Sequence, residues 1–130
     1  MEAFVVDTMA IVLWMEKRKL PQKVKTIFFE AEKSTVSLYV PAMVLVEIGY
    51  LSEKGRIQTT LYEVFSYLDK HVSIIMHETN SDIIKTAFQI TDIPELHDRI
   101  IAASGRLLNL PVITNDPKII ASEFVETLWQ

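Results

Sequence analysis

Short, densely apolar runs take turns along this chain with longer segments whose apolar residues recur at helical spacing. Ala3-Phe4-Val5-Val6-Asp7-Thr8 reads as a buried strand that ends abruptly on a carboxylate. The segment 8–19 predicts a helix with Ile11, Trp14 and Met15 on one face and a basic end at Lys17-Arg18-Lys19. After a break at Pro21, residues 22–33 set Val24, Ile27, Phe28 and Ala31 on a second helical stripe. Ser37-Leu38-Tyr39-Val40 is β-prone, and Pro41 suits the first turn of a helix over 42–54 that Gly55 stops. A helix over 57–70 carries Leu61, Val64, Phe65 and Leu68; His71-Val72-Ser73-Ile74-Ile75 reads as the third strand. Asn80 or Ser81 caps a helix over 82–90, and a loop around Asp92-Ile93-Pro94 leads to another over 95–108. Val112-Ile113-Thr114 is a fourth strand, Asp116-Pro117 opens a short helix, and Phe124-Val125-Glu126-Thr127-Leu128 closes the series. Strands alternating with helices predict an α/β fold with a parallel sheet covered on both faces.

At 130 residues and 49% hydrophobic content, a single domain over 1–130 with its own core is expected. No apolar run is long enough to span a membrane, and Glu2 and Asp7 stand where a signal peptide would carry positive charge. With no cysteine, disulfides and thiolate metal sites are excluded, and a cytoplasmic protein is expected. A net charge of −4 and a pI near 5.3 argue against a protein that grips duplex DNA by its overall field, while leaving room for a local basic rim.

Four carboxylates stand out against this background. In open α/β sheets ligands sit beyond the carboxyl ends of the strands, where Asp7 and Asp116 fall. Each has an ordinary explanation as a helix cap. If their strands are neighbours, however, the two acids repel across a short gap, and a divalent metal is the usual remedy. Glu47 shares its helix face with Met43, Val44, Tyr50 and Leu51 rather than with a solvated stripe, so it needs a partner or a cleft edge. Asp98 opens a helix whose small Ala102 and Ala103 permit close approach to the sheet. The three histidines, His71, His77 and His97, share no metal-ligand spacing.

With Val5-Val6-Asp7-Thr8, Val46-Glu47-Ile48, His97-Asp98-Arg99-Ile100-Ile101-Ala102-Ala103 and Val112-Ile113-Thr114-Asn115-Asp116 in this order, the chain resembles the PIN-domain nucleases over essentially its whole length. Within them it looks most like the small VapC-type toxins. The resemblance implies a three-layer α/β/α sandwich with a five-stranded parallel sheet in the order 3-2-1-4-5, which makes the first and fourth strands neighbours. The family's acidic cluster falls on Asp7, Glu47, Asp98 and Asp116, its following hydroxyl on Thr8, and its polar pair on Thr114 and Asn115; Met9 stands where many members carry a small polar residue.

The resemblance implies a metal-dependent endoribonuclease using Mg²⁺ or Mn²⁺, with RNA as substrate, a cognate antitoxin and a homodimer as partners. In that reading Asp7, Asp98 and Asp116 hold metal, Glu47 adds a ligand or orients water, and Thr8, Thr114 and Asn115 support the metal ligands or touch phosphate. Arg99 and Lys118 are candidates for a basic rim. A haloacid-type hydrolase would want an acid where Met9 stands, and a receiver domain would want a phosphoacceptor acid where His77 and Glu78 follow the third strand. A housekeeping RNA-processing nuclease and a non-catalytic RNA- or protein-binding module are the competing functions.

Overall fold

Strand β1 (Glu2–Val6) buries three consecutive residues, Phe4, Val5 and Val6, and a strand buried on consecutive positions is covered on both faces. The computed structural model, which describes residues 2–130, sets this strand in the middle of the sheet. β1 pairs on one side with β2 (Val36–Pro41) and on the other with β4 (Val112–Ile113). β3 (Ile74–His77) adds to β2 and β5 (Thr127–Leu128) to β4. All pairs are parallel, giving the order β3-β2-β1-β4-β5 that was expected.

Helices α1 (Thr8–Met15), α2 (Gln22–Glu32), α3 (Ala42–Glu53) and α4 (Leu61–Lys70) lie in the crossovers from β1 to β3. Helices α5 (Ser81–Ala87), α6 (Leu96–Leu108) and α7 (Pro117–Ile120) follow β3 and flank β4. The chain walks outward from β1 to β3, then resumes on the far side of β1. With right-handed crossovers, that reversal puts the two sets of helices on opposite faces. The buried side chains divide accordingly. Val24, Phe28, Val44 and Ile48 belong to a large core with β1 and β2, whereas Ile83, Ile90, Ala103 and Ile119 form a smaller one among α5, α6 and α7.

Several boundaries differ from the sequence expectation, each for a nameable reason. α1 stops at Met15 rather than Lys19 because Lys17 turns left-handed, at φ 54, and Arg18 N–H returns to Leu13 O at 2.9 Å. α4 starts at Leu61 rather than Ile57. Thr60 and Glu63 form a reciprocal cap there, and the preceding Gln58 and Thr59 amides bind the Glu16 carboxylate at 3.0 and 2.9 Å. β3 begins three residues later than expected because Ile74 N–H bonds back to His71 O, which spends 71–73 on a turn. β5 is reduced to two residues because the Asp92 carboxylate holds Ser122 Oγ and Glu123 N–H, both at 2.8 Å, and Phe124 packs under Arg106. Asp92 thus acts as a clip between the loop before α6 and the segment ahead of β5. Trp14 packs against the core, stacking on Phe28 at 5.0 Å, while its indole N–H reaches Glu32 and Tyr67 and ties α1, α2 and α4 together.

The approach of α6 to the sheet depends on Gly105. A Cβ there would lie 2.5 Å from Val112 Cγ2 on β4 and 3.1 Å from the Leu110 carbonyl. Gly105→Ala should therefore lower unfolding stability by about 1–3 kcal/mol through overpacking. Gly49 is the control. A Cβ there meets only Leu61 at an ordinary 3.5 Å, so Gly49→Ala within α3 should raise stability by up to roughly 1 kcal/mol. Urea unfolding of both variants checks the pair.

Candidate active site

Because β1 and β4 are the strands at which the chain reverses direction, the ends of these strands form the topological switch point of the sheet. Asp7 follows directly on β1, its N–H bonded to Ile113 O at 3.1 Å, and it caps α1 by accepting Ala10 N–H on Oδ1 at 2.9 Å. Its other oxygen accepts the Thr114 hydroxyl, which is fully buried just past β4. The same hydroxyl oxygen accepts the Asp116 N–H at 3.0 Å. One threonine therefore fixes the carboxylate of one acid and the backbone of the next.

Asp116 caps α7, its Oδ1 taking Lys118 N–H at 2.9 Å ahead of Pro117 in the first turn. Glu47 comes from α3 and is oriented by Thr8, whose hydroxyl donates to Oε1 at 2.5 Å. Asp98 lies in the first turn of α6. These four acids line one open cleft of ≈ 420 Å³, together with Thr8, Met9, Leu51 and Asn115. The structure thus brings together Asp7, Thr8, Glu47, Asp98, Asn115 and Asp116, with Thr114 buried beneath them.

Arg99 is turned elsewhere. Its Nε donates to the Ile93 carbonyl and steadies the loop before α6. Lys118 stands at the rim with Nζ 3.9 Å from Glu95, which also contacts His97 at 3.3 Å. Glu95 is the acid at this site to which sequence reasoning gave little weight. An acid just before a helix is too ordinary to notice without the fold.

The electrostatics follow from the crowding. Burial pushes Asp7 up to about 6 against the opposing pull of the Thr114 and Ala10 hydrogen bonds, and Asp116 and Glu47 add repulsion. Asp98 is likewise raised to about 6, first by burial, then by Asp116, Glu95 and Glu47, with Lys118 pulling the other way. Acids in this state favour either a proton or a cation.

The donors in the cleft are carboxylate, hydroxyl and amide oxygens, and no histidine or cysteine lines it. Among the described residues, no three His, Cys, Asp or Glu side chains converge tightly enough to make a preformed cage. An oxygen-only set around an open cleft fits a hard divalent cation that keeps much of its water and takes one or two carboxylates. It lacks the thiolate and imidazole donors that favour zinc or copper.

Comparison with known proteins agrees with the fold. No curated protein matches the chain by sequence. Among solved structures it is similar in fold to a chain of the VapBC2 complex from Rickettsia felis bound to a promoter DNA fragment, at 14% identity and TM-score 0.74 over 98% of this chain and 99% of that one. DNA-bound VapBC from Salmonella typhimurium gives 17% identity and TM-score 0.73 over 98% of each chain. VapC20 from Mycobacterium tuberculosis, described as a sarcin-ricin loop cleaving toxin, gives 15% and 0.66 over 98% of this chain and 99% of that one. The PIN domain family model matches residues 4–124, a span that runs from within β1 to beyond Asp116 and takes in every acid of the cleft, and the chain belongs to the PIN domain family.

Proposed function

We propose that the protein is a metal-dependent endoribonuclease and the toxin of a toxin-antitoxin pair. The observation that carries this reading is the gathering of Asp7, Glu47, Asp98 and Asp116 round one cleft, with two of them held well above the usual carboxylate range. Burying carboxylates and then crowding them together is a cost that an inert binding surface has no reason to keep. A Mg²⁺ or Mn²⁺ ion, when bound, would supply charge neutralisation for the phosphate and a lowered pKa for a water nucleophile. Asp7, Asp98 and Asp116 are the residues to hold it, with Glu47 as a further ligand or as the group that orients the water.

The chain's own contribution is positioning. Thr114 and the Ala10 amide fix both oxygens of Asp7, Thr8 fixes Glu47, and the Lys118 amide fixes Asp116. Asn115, exposed at the cleft, offers its amide to a phosphate oxygen, and Lys118 at the rim offers charge. RNA as substrate is supported by the fold's likeness to a toxin described as cleaving the sarcin-ricin loop, and an antitoxin partner by its likeness to VapBC complexes. A homodimer, a cytoplasmic location and a single domain over 1–130 complete the proposal. The competing reading is a PIN-fold module that binds RNA or protein without cutting.

Stability should report the acid cluster directly. With folded-state values near 6 against 3.8, Asp98 and Asp7 bind more protons folded than unfolded between about pH 4 and 6. Their cost to stability is therefore present above pH 6 and relieved as pH falls through that window. Asp98→Asn should make the metal-free protein equally or more stable at pH 7, by on the order of 1 kcal/mol after allowance for solvent screening. It should also flatten the part of the stability profile between pH 4 and 6 and lose the gain on adding Mg²⁺ or Mn²⁺. Thermal melts across pH, with and without metal, read all three; equal gains from metal in wild type and variant would remove Asp98 from the ligand set.

Activity separates enzyme from binder. Asp7→Asn keeps one oxygen for the Ala10 N–H and nearly the same volume, and asks only the Thr114 hydroxyl to reorient, so it should abolish metal-dependent cleavage of a structured RNA while leaving RNA binding within about twofold. Thr114→Val, which removes the hydroxyl shared by Asp7 and Asp116, should lower cleavage or metal affinity by about 10–100-fold. Cleavage and binding are measured in parallel at fixed salt on protein freed of any bound partner. Wild-type protein that binds RNA but cuts none with either metal would overturn the nuclease reading.

A further inference from the structure

Asp98 and Asp116, the last two acids of the cleft along the chain, sit on elements with little to hold them locally. α7 is a single turn, Pro117–Ile120, too short to persist on its own hydrogen bonds. α6 begins at Leu96 without a side-chain cap from Glu95. The two acids also repel one another in the cleft they line. Whatever keeps them at a fixed separation must therefore reach beyond both first turns.

The loop ahead of α6 makes that connection. Ile93 is fully buried in the same small core as Ile119 of α7, and its carbonyl accepts Arg99 Nε from α6. Asp92, one residue earlier, holds the exit of α7: one carboxylate oxygen accepts the Ser122 hydroxyl and the other the Glu123 N–H, both at 2.8 Å. Ser122 is buried, and its oxygen also accepts the Phe124 N–H at 3.1 Å, so it serves two partners as Thr114 does. Asp92 lies six residues before Asp98, and Ser122 lies six residues after Asp116. Each end of the clip is thus on the short segment that carries one acid. We propose that Asp92 is a positioning residue for the acid cleft: by fastening the exit of α7 to the loop that leads into α6, it sets the separation at which Asp98 and Asp116 meet a shared divalent cation. The proposal rests on the nuclease reading's choice of those two acids as metal ligands, and adds a residue outside the cleft lining that acts through both.

The test measures Mn²⁺ affinity by calorimetric titration, beside thermal melts, at fixed pH and salt. Asp92→Ala, which releases both partners, should weaken Mn²⁺ binding by about tenfold. Adding Ser122→Ala to it should change affinity by less than about twofold further, because both substitutions undo one joint. Asp92→Asn removes the charge yet keeps an oxygen for the Glu123 N–H and gains an N–H for the Ser122 oxygen, so its affinity should stay within about threefold of wild type. Thr59→Val is the control for a joint away from the acids: it removes the Thr59 hydroxyl bond to Glu16 at the far end of α1, and should lower the melting temperature with Mn²⁺ affinity unchanged. In cleavage assays, Asp92→Ala should need about tenfold more Mn²⁺ for half-maximal rate, with the KM for RNA unaltered.

Asp92→Ala that melts lower but binds Mn²⁺ like wild type would overturn the proposal and leave Asp92 a fastening of the chain alone, with wild-type cleavage keeping the nuclease reading in place. Equal losses in Asp92→Asn and Asp92→Ala would also overturn it, since the charge of Asp92 rather than its hydrogen bonds would then account for the effect. Wild-type protein that binds no Mn²⁺ would defeat it together with the assignment of Asp98 and Asp116 as ligands. The expected order of affinities in a protein that binds Mn²⁺ but cuts no RNA would uphold the positioning role and bring down the nuclease reading alone.

Discussion

The pairing of β1 with β4 is the constraint on which the rest of the site depends. It is a short ladder, Val5 opposite Val112 and Val6 opposite Ile113, continued by the Asp7 amide to Ile113 O. Its consequence is that Asp7 arrives beside Thr114, so a single buried hydroxyl donates to one acid and accepts from the backbone of another. A hydroxyl can do both at once, which neither an amide N–H nor a carboxylate can. Valine would fill the same space and do neither.

Around that joint the molecule balances repulsion against local hydrogen bonding. Asp7 is buried yet accepts two hydrogen bonds, which limits how far burial lifts its pKa. Glu47 is kept in the cleft by Thr8, the residue after Asp7, so one turn of α1 serves two acids. The opposite end of α1 uses a carboxylate in the contrary manner. Glu16 accepts the Thr59 hydroxyl and the amides of Gln58 and Thr59, which hold it below its ordinary pKa and fasten the loop ahead of α4. One acid on this helix is stabilised in its charged form and the other is disfavoured, and the difference lies in burial and in the neighbouring acids.

The fold was largely legible in the sequence because its signals are local. Consecutive apolar residues at Phe4-Val5-Val6 mark a strand with two covered faces, and the stripe of Val24, Ile27, Phe28 and Ala31 marks a helix with one. The acids of the cleft were legible for a similar reason: Asp7 and Asp116 sit at strand ends, and Glu47 interrupts an apolar helix. What the pattern did not carry were contacts between distant positions. Nothing near Glu16 announces that its partners are Gln58 and Thr59, and nothing near Asp92 announces Ser122 and Glu123. The roles of Arg99 and of Gly105 were hidden likewise, since the first depends on where the Ile93 carbonyl points and the second on how closely α6 meets Val112.

The bond between Asp7 and Thr114 spans 107 positions along the chain. A protein made from its amino terminus can pair β1 with β2, and β2 with β3, while β4 is still to be synthesised. Through all of that time Asp7 lacks the hydroxyl that orients it, and the cleft lacks Asp98 and Asp116. The acid cleft is therefore among the last parts of the molecule to come into being. Until β4 is made no growing chain can hold the assembled cleft, and since the main core itself draws on Ile101, Val112 and Ile113, the cleft closes together with the sheet rather than by degrees.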